Sequence, residues 1–223
     1  MNFFGNIVKI LERYWQVFLL QGVGYTLLLS AITVLCGAVL GLLLYLGRVA
    51  RFKPLNWIVV AIVEVIRGTP MLLQLYVFYF LVPKVLPFQV SEFASVAVGL
   101  VINSACYVSE IFRSGIQAVD RGQTEAARSL GLNGRQTMMR IILPQAVKNI
   151  LPALGNEFIM VVKDTSLAST FFVGELMTSY LKVKGNTYLT MECLTIVGVI
   201  YFVLTFLLSK LLGAFERRLK ASD

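Results

Sequence analysis

Five long stretches of the chain are dominated by apolar residues: 17–46, 55–82, 93–112, 150–181 and 189–212. A helix needs about 20 such residues to cross ~30 Å of hydrocarbon, and each stretch reaches that length. The pattern therefore predicts an all-α membrane protein of five transmembrane helices. The longest polar stretch is 113–149, so no soluble domain is left over and residues 1–223 form one membrane domain. A cleavable leader has an apolar core of only about 7–15 residues. The first stretch is far longer and runs into Arg48, Arg51 and Lys53, which makes it a retained helix.

Connectors rich in Lys and Arg stay on the cytoplasmic side. The connector after the first stretch carries Arg48, Arg51 and Lys53, and the one after the third carries Arg113, Arg121, Arg128, Arg135, Arg140 and Lys148. The tail adds Lys210, Arg217, Arg218 and Lys220, so thirteen of the 20 basic residues fall on one side. The other side has Lys9, Arg13, Lys84, Lys182 and Lys184. The bias predicts the N-terminus outside and the C-terminus in the cytoplasm.

Composition narrows the function classes. Charged residues are 14% of the chain, about half the usual ~25% of soluble domains. With 57% hydrophobic residues and a mean hydropathy of +0.78, an ordinary water-facing globule and a disordered chain are both excluded. The formal charge of +8 follows from the cytoplasmic bias, and nucleic-acid binding need not be invoked. The chain has no histidine, which removes the usual general base and the commonest metal ligand. Cys36, Cys106 and Cys193 are widely spaced with no CxxC pair and read as small core residues. No catalytic or metal-ligating set is predicted.

The connector 113–149 has its own helical pattern. A short helix over about 123–130 is expected to start at a Thr124 or Asp120 cap and to stop at Gly131 in the left-handed conformation. A second stretch is expected to end at Pro144, with the chain re-entering the membrane near Ile150. By itself this is a solvated helix-turn-helix.

The spacing says more. Glu125-Ala126-Ala127, three residues, Gly131, nine residues, Ile141, one residue, Leu143-Pro144 resembles, position for position, the EAA loop of the membrane subunits of bacterial ABC importers. Small Ala126 and Ala127 permit close approach of a partner surface, Gly131 permits a sharp turn, and Glu125 offers a charge that pairs with a basic group or caps its own loop. Glu64-Val-Ile-Arg67-Gly-Thr-Pro70, Asn103-Ser-Ala-Cys-Tyr107 with Glu110 and Arg113, and Leu151-Pro-Ala-Leu-Gly155-Asn156 with Lys163-Asp164-Thr165-Ser166-Leu167 extend the resemblance, looking like polar amino acid permeases of the HisM and GlnP type.

The resemblance implies a type I ABC importer permease fold in the bacterial cytoplasmic membrane. It also implies two cytoplasmic ATPase subunits that bind ATP and Mg, a second permease copy or a related permease, an extracytoplasmic solute-binding protein, and an amino acid as cargo. The short loop helix would dock on the ATPase and transmit its closure. This chain has no GxxxxGK[ST] phosphate loop, holds no cofactor and performs no covalent chemistry. The rivals are a self-sufficient channel or carrier, which needs no ATPase, and an intramembrane enzyme, for which HExxH and GxSxG are lacking.

Ionisable groups at bilayer depth are costly and need a partner or a water path. At ~1.5 Å per residue, Arg67 lies ~22 Å down from Val82 and Glu110 ~26 Å down from Phe93. An Arg67 to Glu110 ion pair is one expectation, with Glu64 and Arg113 as alternative partners and snorkelling to the inner headgroups as the other outcome. Pro70 predicts a kink or helix start at the same level. Lys163 and Asp164 fall near the midplane, followed by Thr165 and Ser166. The reading is a substrate path in which Asp164 meets an ammonium, Lys163 a carboxylate, and hydroxyls replace water, with Gln74, Asn103 and Tyr107 as further contacts; a bundle-internal structural pair is the alternative.

Overall fold

Residues 2–220 are described in the computed structural model, all but the side chain of Lys220; the Lys220 charge assigned to the cytoplasmic tail therefore lies outside the described residues. The chain is helical almost throughout. Helix α1 (Phe3–Trp15), a π-helical segment (Gln16–Val23) and α2 (Gly24–Arg48) run on as one 46-residue helix, about 69 Å long at 1.5 Å per residue. It starts well before residue 17, because Asn2 caps it through the Gly5 N–H and Ile10 is buried against the last helix. Its widened turn has a cause: the Ser179 hydroxyl donates to the Val17 carbonyl at 3.0 Å, and side chains that enter the helical ladder in this way divert it.

The predicted second span, 55–82, is two helices. α3 (Lys53–Arg67) and α4 (Met71–Val85) meet at 112° around Gly68-Thr69-Pro70. Proline has no N–H to continue the ladder, and Gln74 satisfies the carbonyls left open: its amide donates to the Ile66 carbonyl (2.6 Å), the Thr69 carbonyl (3.0 Å) and the Thr69 hydroxyl (2.8 Å). Arg48, just before α3, and Arg67, at its end, both reach Glu110. α3 thus crosses the end of the bundle that holds Glu110, and α4 makes the rise.

α5 (Glu92–Gln117), started by the Ser91 side chain accepting from the Ala94 N–H, is the central helix. Two-thirds of its span is buried (67%), against 28% and 22% for the first and last long helices. It lies along α2 on a stripe of small residues, Ser30, Thr33, Gly37 and Gly41. A Cβ on Gly41 would come within 2.7 Å of Val108 Cγ1 and 2.8 Å of the Ala105 carbonyl oxygen, so the two backbones are in contact. Such close approach of small residues is the usual device where lipid offers no hydrophobic drive. Leu29, Leu75, Val96 and Leu100 fill the space among α2, α4 and α5.

After α6 (Arg121–Ser129), an Asn133–Gln136 capping box starts α7 (Gly134–Thr137), which passes through a π turn (Met138–Ile142) into α8 (Leu143–Asp164). Pro144 therefore does not end the second stretch, contrary to expectation. The wider turn ahead of it, in which the Leu143 N–H reaches the Met138 carbonyl, gives the proline ring room beside the preceding carbonyls.

The predicted fourth span, 150–181, is also broken. α8 tightens into a 3-10 segment (Thr165–Phe171), the chain turns through left-handed Phe172 and Gly174, and α9 (Leu176–Thr187) begins. α10 (Thr190–Lys220) closes the bundle, packing with α1 and α9 through Ile10, Phe18, Tyr180 and Ile196. Among the described residues three helices are long and apolar enough to cross a membrane, or four when the bent α3–α4 pair counts as one. Cys106 and Cys193 are buried, whereas Cys36 is exposed, a quarter-turn or so round α2 from the small-residue stripe.

Candidate coupling helix and membrane-depth polar site

α6 projects between α5 and the α7–α8 helix. Asp120 caps it, accepting from the Gly122 N–H at 2.7 Å, so the cap is Asp120 and not Thr124. Its end closes as the local pattern predicted, with Gly131 at φ +83° and the Leu132 N–H returning to the Ala127 carbonyl at 3.1 Å. Ala127 is the residue of α6 that is buried; Glu125 and Ala126 are exposed. The Glu125 carboxylate neither caps the loop nor pairs with a basic group among the described residues. Ile141 and Leu143 are half-buried and Pro144 exposed, while Ile142, between them, is buried. Leu130 is 83% exposed at the tip of the turn, an apolar side chain with no neighbour to justify it, which the motif skips over.

At the α3 end of the bundle Glu110 gathers three arginines. Arg48 reaches it at 2.6 Å and Arg113 from one turn away on α5, while Arg67 stands back at 3.8 Å. Arg67 also lies over the Tyr107 ring, 5.2 Å from its centroid, so Tyr107 serves this cluster. Arg48 was not foreseen as a partner, because depth counting compares predicted spans and it lies in a connector. Glu64 is exposed and forms no ion pair among the described residues. The cluster ties α2, α3 and α5 together.

Deeper in, α5 carries two adjacent polar residues in two directions. Asn103 donates to Gln74 Oε1 at 2.8 Å on α4, so this pair locks the α3–α4 break. Ser104 donates to Glu157 Oε1 at 2.8 Å on α8. Glu157 and Asp164 are seven residues apart, two turns along one helix face, about 10 Å. Lys163 and Asp164 form no ion pair; Lys163 is exposed and, with Ser166 and Tyr201, lines a pocket of about 290 Å³ against α9 and α10, while Asp164 is half-buried. Thr165 is buried and donates to the Val162 carbonyl at 2.8 Å, and its hydroxyl also meets the Tyr201 phenol on α10. Among the described residues no three metal-ligating side chains gather.

Two acids, half-buried Glu157 and fully buried Glu175, were missed. Glu157 and Glu175 sit within the same predicted stretch as Lys163, and the cost of charge at depth applies to them equally. Glu175 is fully buried and caps α9 through the Thr178 N–H at 2.7 Å, while also accepting from the Thr178 hydroxyl (2.8 Å) and the Tyr201 phenol (3.2 Å). Nearby, the Leu176 N–H donates to the Thr26 hydroxyl at 3.1 Å. These bonds join the start of α9 to α2 and α10.

A helical bundle with an exposed, glycine-terminated helix in its largest polar connector suits a membrane subunit driven from outside, and comparison decides the matter. The family described as "Binding-protein-dependent transport system inner membrane component" matches residues 34–221. This chain belongs to that family of ABC importer permeases. The permease is 41% identical over 206 residues to the arginine transport system permease protein ArtQ of Bacillus subtilis, covering 92% of this chain and 94% of the relative. It is 36% identical over 211 residues to the L-cystine transport system permease protein TcyB of the same organism, covering 93% and 88%. Among solved structures, an amino acid ABC transporter with histidines aligns at TM-score 0.89 and 41% identity, over 93% of the permease and 96% of that chain. The MetNI methionine transporter shares the fold at TM-score 0.73 and 21% identity, over 91% and 96%.

Proposed function

We propose that the chain is the type I membrane subunit of an ATP-driven importer that carries a polar amino acid from an extracytoplasmic binding protein into the cytoplasm. The observation that carries this reading is α6, a capped helix exposed on every face but Ala127 and ended by left-handed Gly131. It is shaped to be gripped by a partner and is joined to α5 and α8 by short turns. Two ATPase subunits with ATP and Mg grip α6 of this chain and of a second permease; Glu125, Ala126, Gly131 and the Ile141, Leu143 and Pro144 positions transmit the closure, and the helices alternate access.

The chain crosses five times, with the N-terminus outside: α1–α2, α4, α5, α8 with its 3-10 end, and α10. The Arg48–Glu110–Arg113 cluster supports this orientation, since it brings the basic connectors after α2 and α5 to one end.

The cargo reading rests on α8. Glu157, Asp164, Lys163 and Ser166 form the substrate path, whereas Gln74, Asn103, Tyr107 and Thr165 hold the scaffold around it. Two carboxylates on one face favour a cationic amino acid, in keeping with the similarity to the arginine transport system permease. In proteoliposomes with the ATPase and binding protein, arginine uptake is expected to exceed glutamine uptake. Glu157→Gln with Asp164→Asn is expected to lower arginine uptake about tenfold or more, the scale of a lost charged hydrogen bond. Unaltered arginine uptake, or equal loss for both amino acids, refutes the assignment.

A further inference from the structure

Because α3 crosses the inner end of the bundle, it leaves a notch between itself and the wall formed by α2 and α5. This groove measures about 580 Å³. Leu40, Leu43, Leu55 and Ile62 form its exposed rim, and Ala105 and Cys106 its buried floor. Its lining is almost wholly apolar, and it opens on the outer side of the bundle, away from the Glu157 face of α8.

The lower end of the groove is basic. Groove-lining Ala50 and Leu55 bracket Arg51, Phe52 and Lys53. Arg48, the neighbouring cation, is already held by Glu110, whereas Arg51 and Lys53 are exposed and have no carboxylate partner among the described residues. Phe52 and Trp57 are also exposed at this level. Aromatic rings beside basic residues mark the height of the lipid headgroups, and basic mouths between membrane helices on the cytoplasmic side suit anionic headgroups.

We infer that this groove is a binding site for an anionic phospholipid of the inner leaflet. One acyl chain lies along α2 and α5 from Ala50 up toward Leu40, and the phosphate is held by Arg51 and Lys53 on the ledge made by the start of α3. Charge decides the occupant: a helix from a second permease copy would leave Arg51 and Lys53 without a counter-charge, whereas an anionic lipid supplies both the apolar tail and the phosphate.

The test is native mass spectrometry of the purified permease–ATPase complex after equilibration in micelles holding equal phosphatidylglycerol and phosphatidylcholine. The wild type is expected to retain phosphatidylglycerol preferentially. Each basic residue near the headgroup contributes about fivefold, so Arg51→Gln with Lys53→Gln is expected to cut that preference about 30-fold. Leu40→Trp, which fills the upper groove from an exposed position, is expected to release both lipids. Equal retention of the two lipids by the wild type, or unchanged retention by the double variant, overturns the proposal. So does disulfide-linked dimer formation by Leu43→Cys in a Cys36→Ala background, since that would seat a second copy in the groove.

Discussion

The contact between α2 and α5 offers a sharp test of how this bundle is held. Gly41→Ala adds one methyl group whose carbon would lie 2.7 Å from Val108 Cγ1 and 2.8 Å from the Ala105 carbonyl oxygen. Ordinary contacts between such atoms are about 3.5–4.0 Å, so about 1 Å must be found. Val108 can turn away, but the carbonyl belongs to the central helix and cannot. The two helices must separate or slide, which loosens the stripe from Ser30 to Gly41. Overpacking of this kind costs about 1–3 kcal/mol, and at about 2–4 °C per kcal/mol for a chain of this length the midpoint falls by roughly 2–12 °C. The assay is the temperature at which the detergent-solubilised complex loses its monodisperse elution peak. Gly24→Ala, where an added Cβ meets nothing within 4 Å, is expected to be neutral or slightly stabilising. Val108→Ala in the Gly41→Ala background is expected to restore part of the loss. A Gly41→Ala midpoint within 1 °C of wild type would refute the claim that backbone contact at Gly41 sets the spacing.

Three further outcomes rest on the Glu110 cluster and on the Gly131 turn. Glu110→Gln leaves Arg48, Arg67 and Arg113 facing one another and is expected to cost about 1–2 kcal/mol by the same thermal assay, with the effect discounted because the groups are partly exposed. Arg67→Gln is expected to cost less, because Arg67 stands at 3.8 Å and Arg48 at 2.6 Å from the carboxylate. Gly131→Val forces a β-branched residue to φ +83°, a conformation that costs a β-branched residue roughly 1–3 kcal/mol; coupling of ATP hydrolysis to uptake should fall while the complex still assembles, and unchanged uptake per ATP would count against a coupling role for this turn.

Much of the loop was legible because its information is local. The short helix, its Asp120 start and its Gly131 stop all depend on residues within one turn of each other. Span boundaries were less legible. Hydropathy summed over 55–82 and 150–181 registers neither break, since the apolar content is similar on both sides; the proline at 70 signalled a kink or helix start but not its 112° angle, and nothing signalled the left-handed exit at Phe172. The proposed substrate path was legible in part: Lys163 and Asp164 stood out as a pair, whereas Glu157 and Glu175, single charges without a charged neighbour in sequence, were passed over although the same cost of charge at depth marks them.

The sequence by itself determined that this is a helical, apolar chain of permease character and where the short loop helix starts and stops, because solvent preference and cap chemistry are properties of short segments. Tertiary structure alone decided that Gln74 and Asn103 brace the α3–α4 corner, that Arg48 joins Arg67 and Arg113 on Glu110, and that α3 leaves a groove above a basic ledge. Those outcomes depend on which helices become neighbours and at what angle, and contacts between residues 62 positions apart, such as Arg48 and Glu110, leave no mark on the local pattern of either segment.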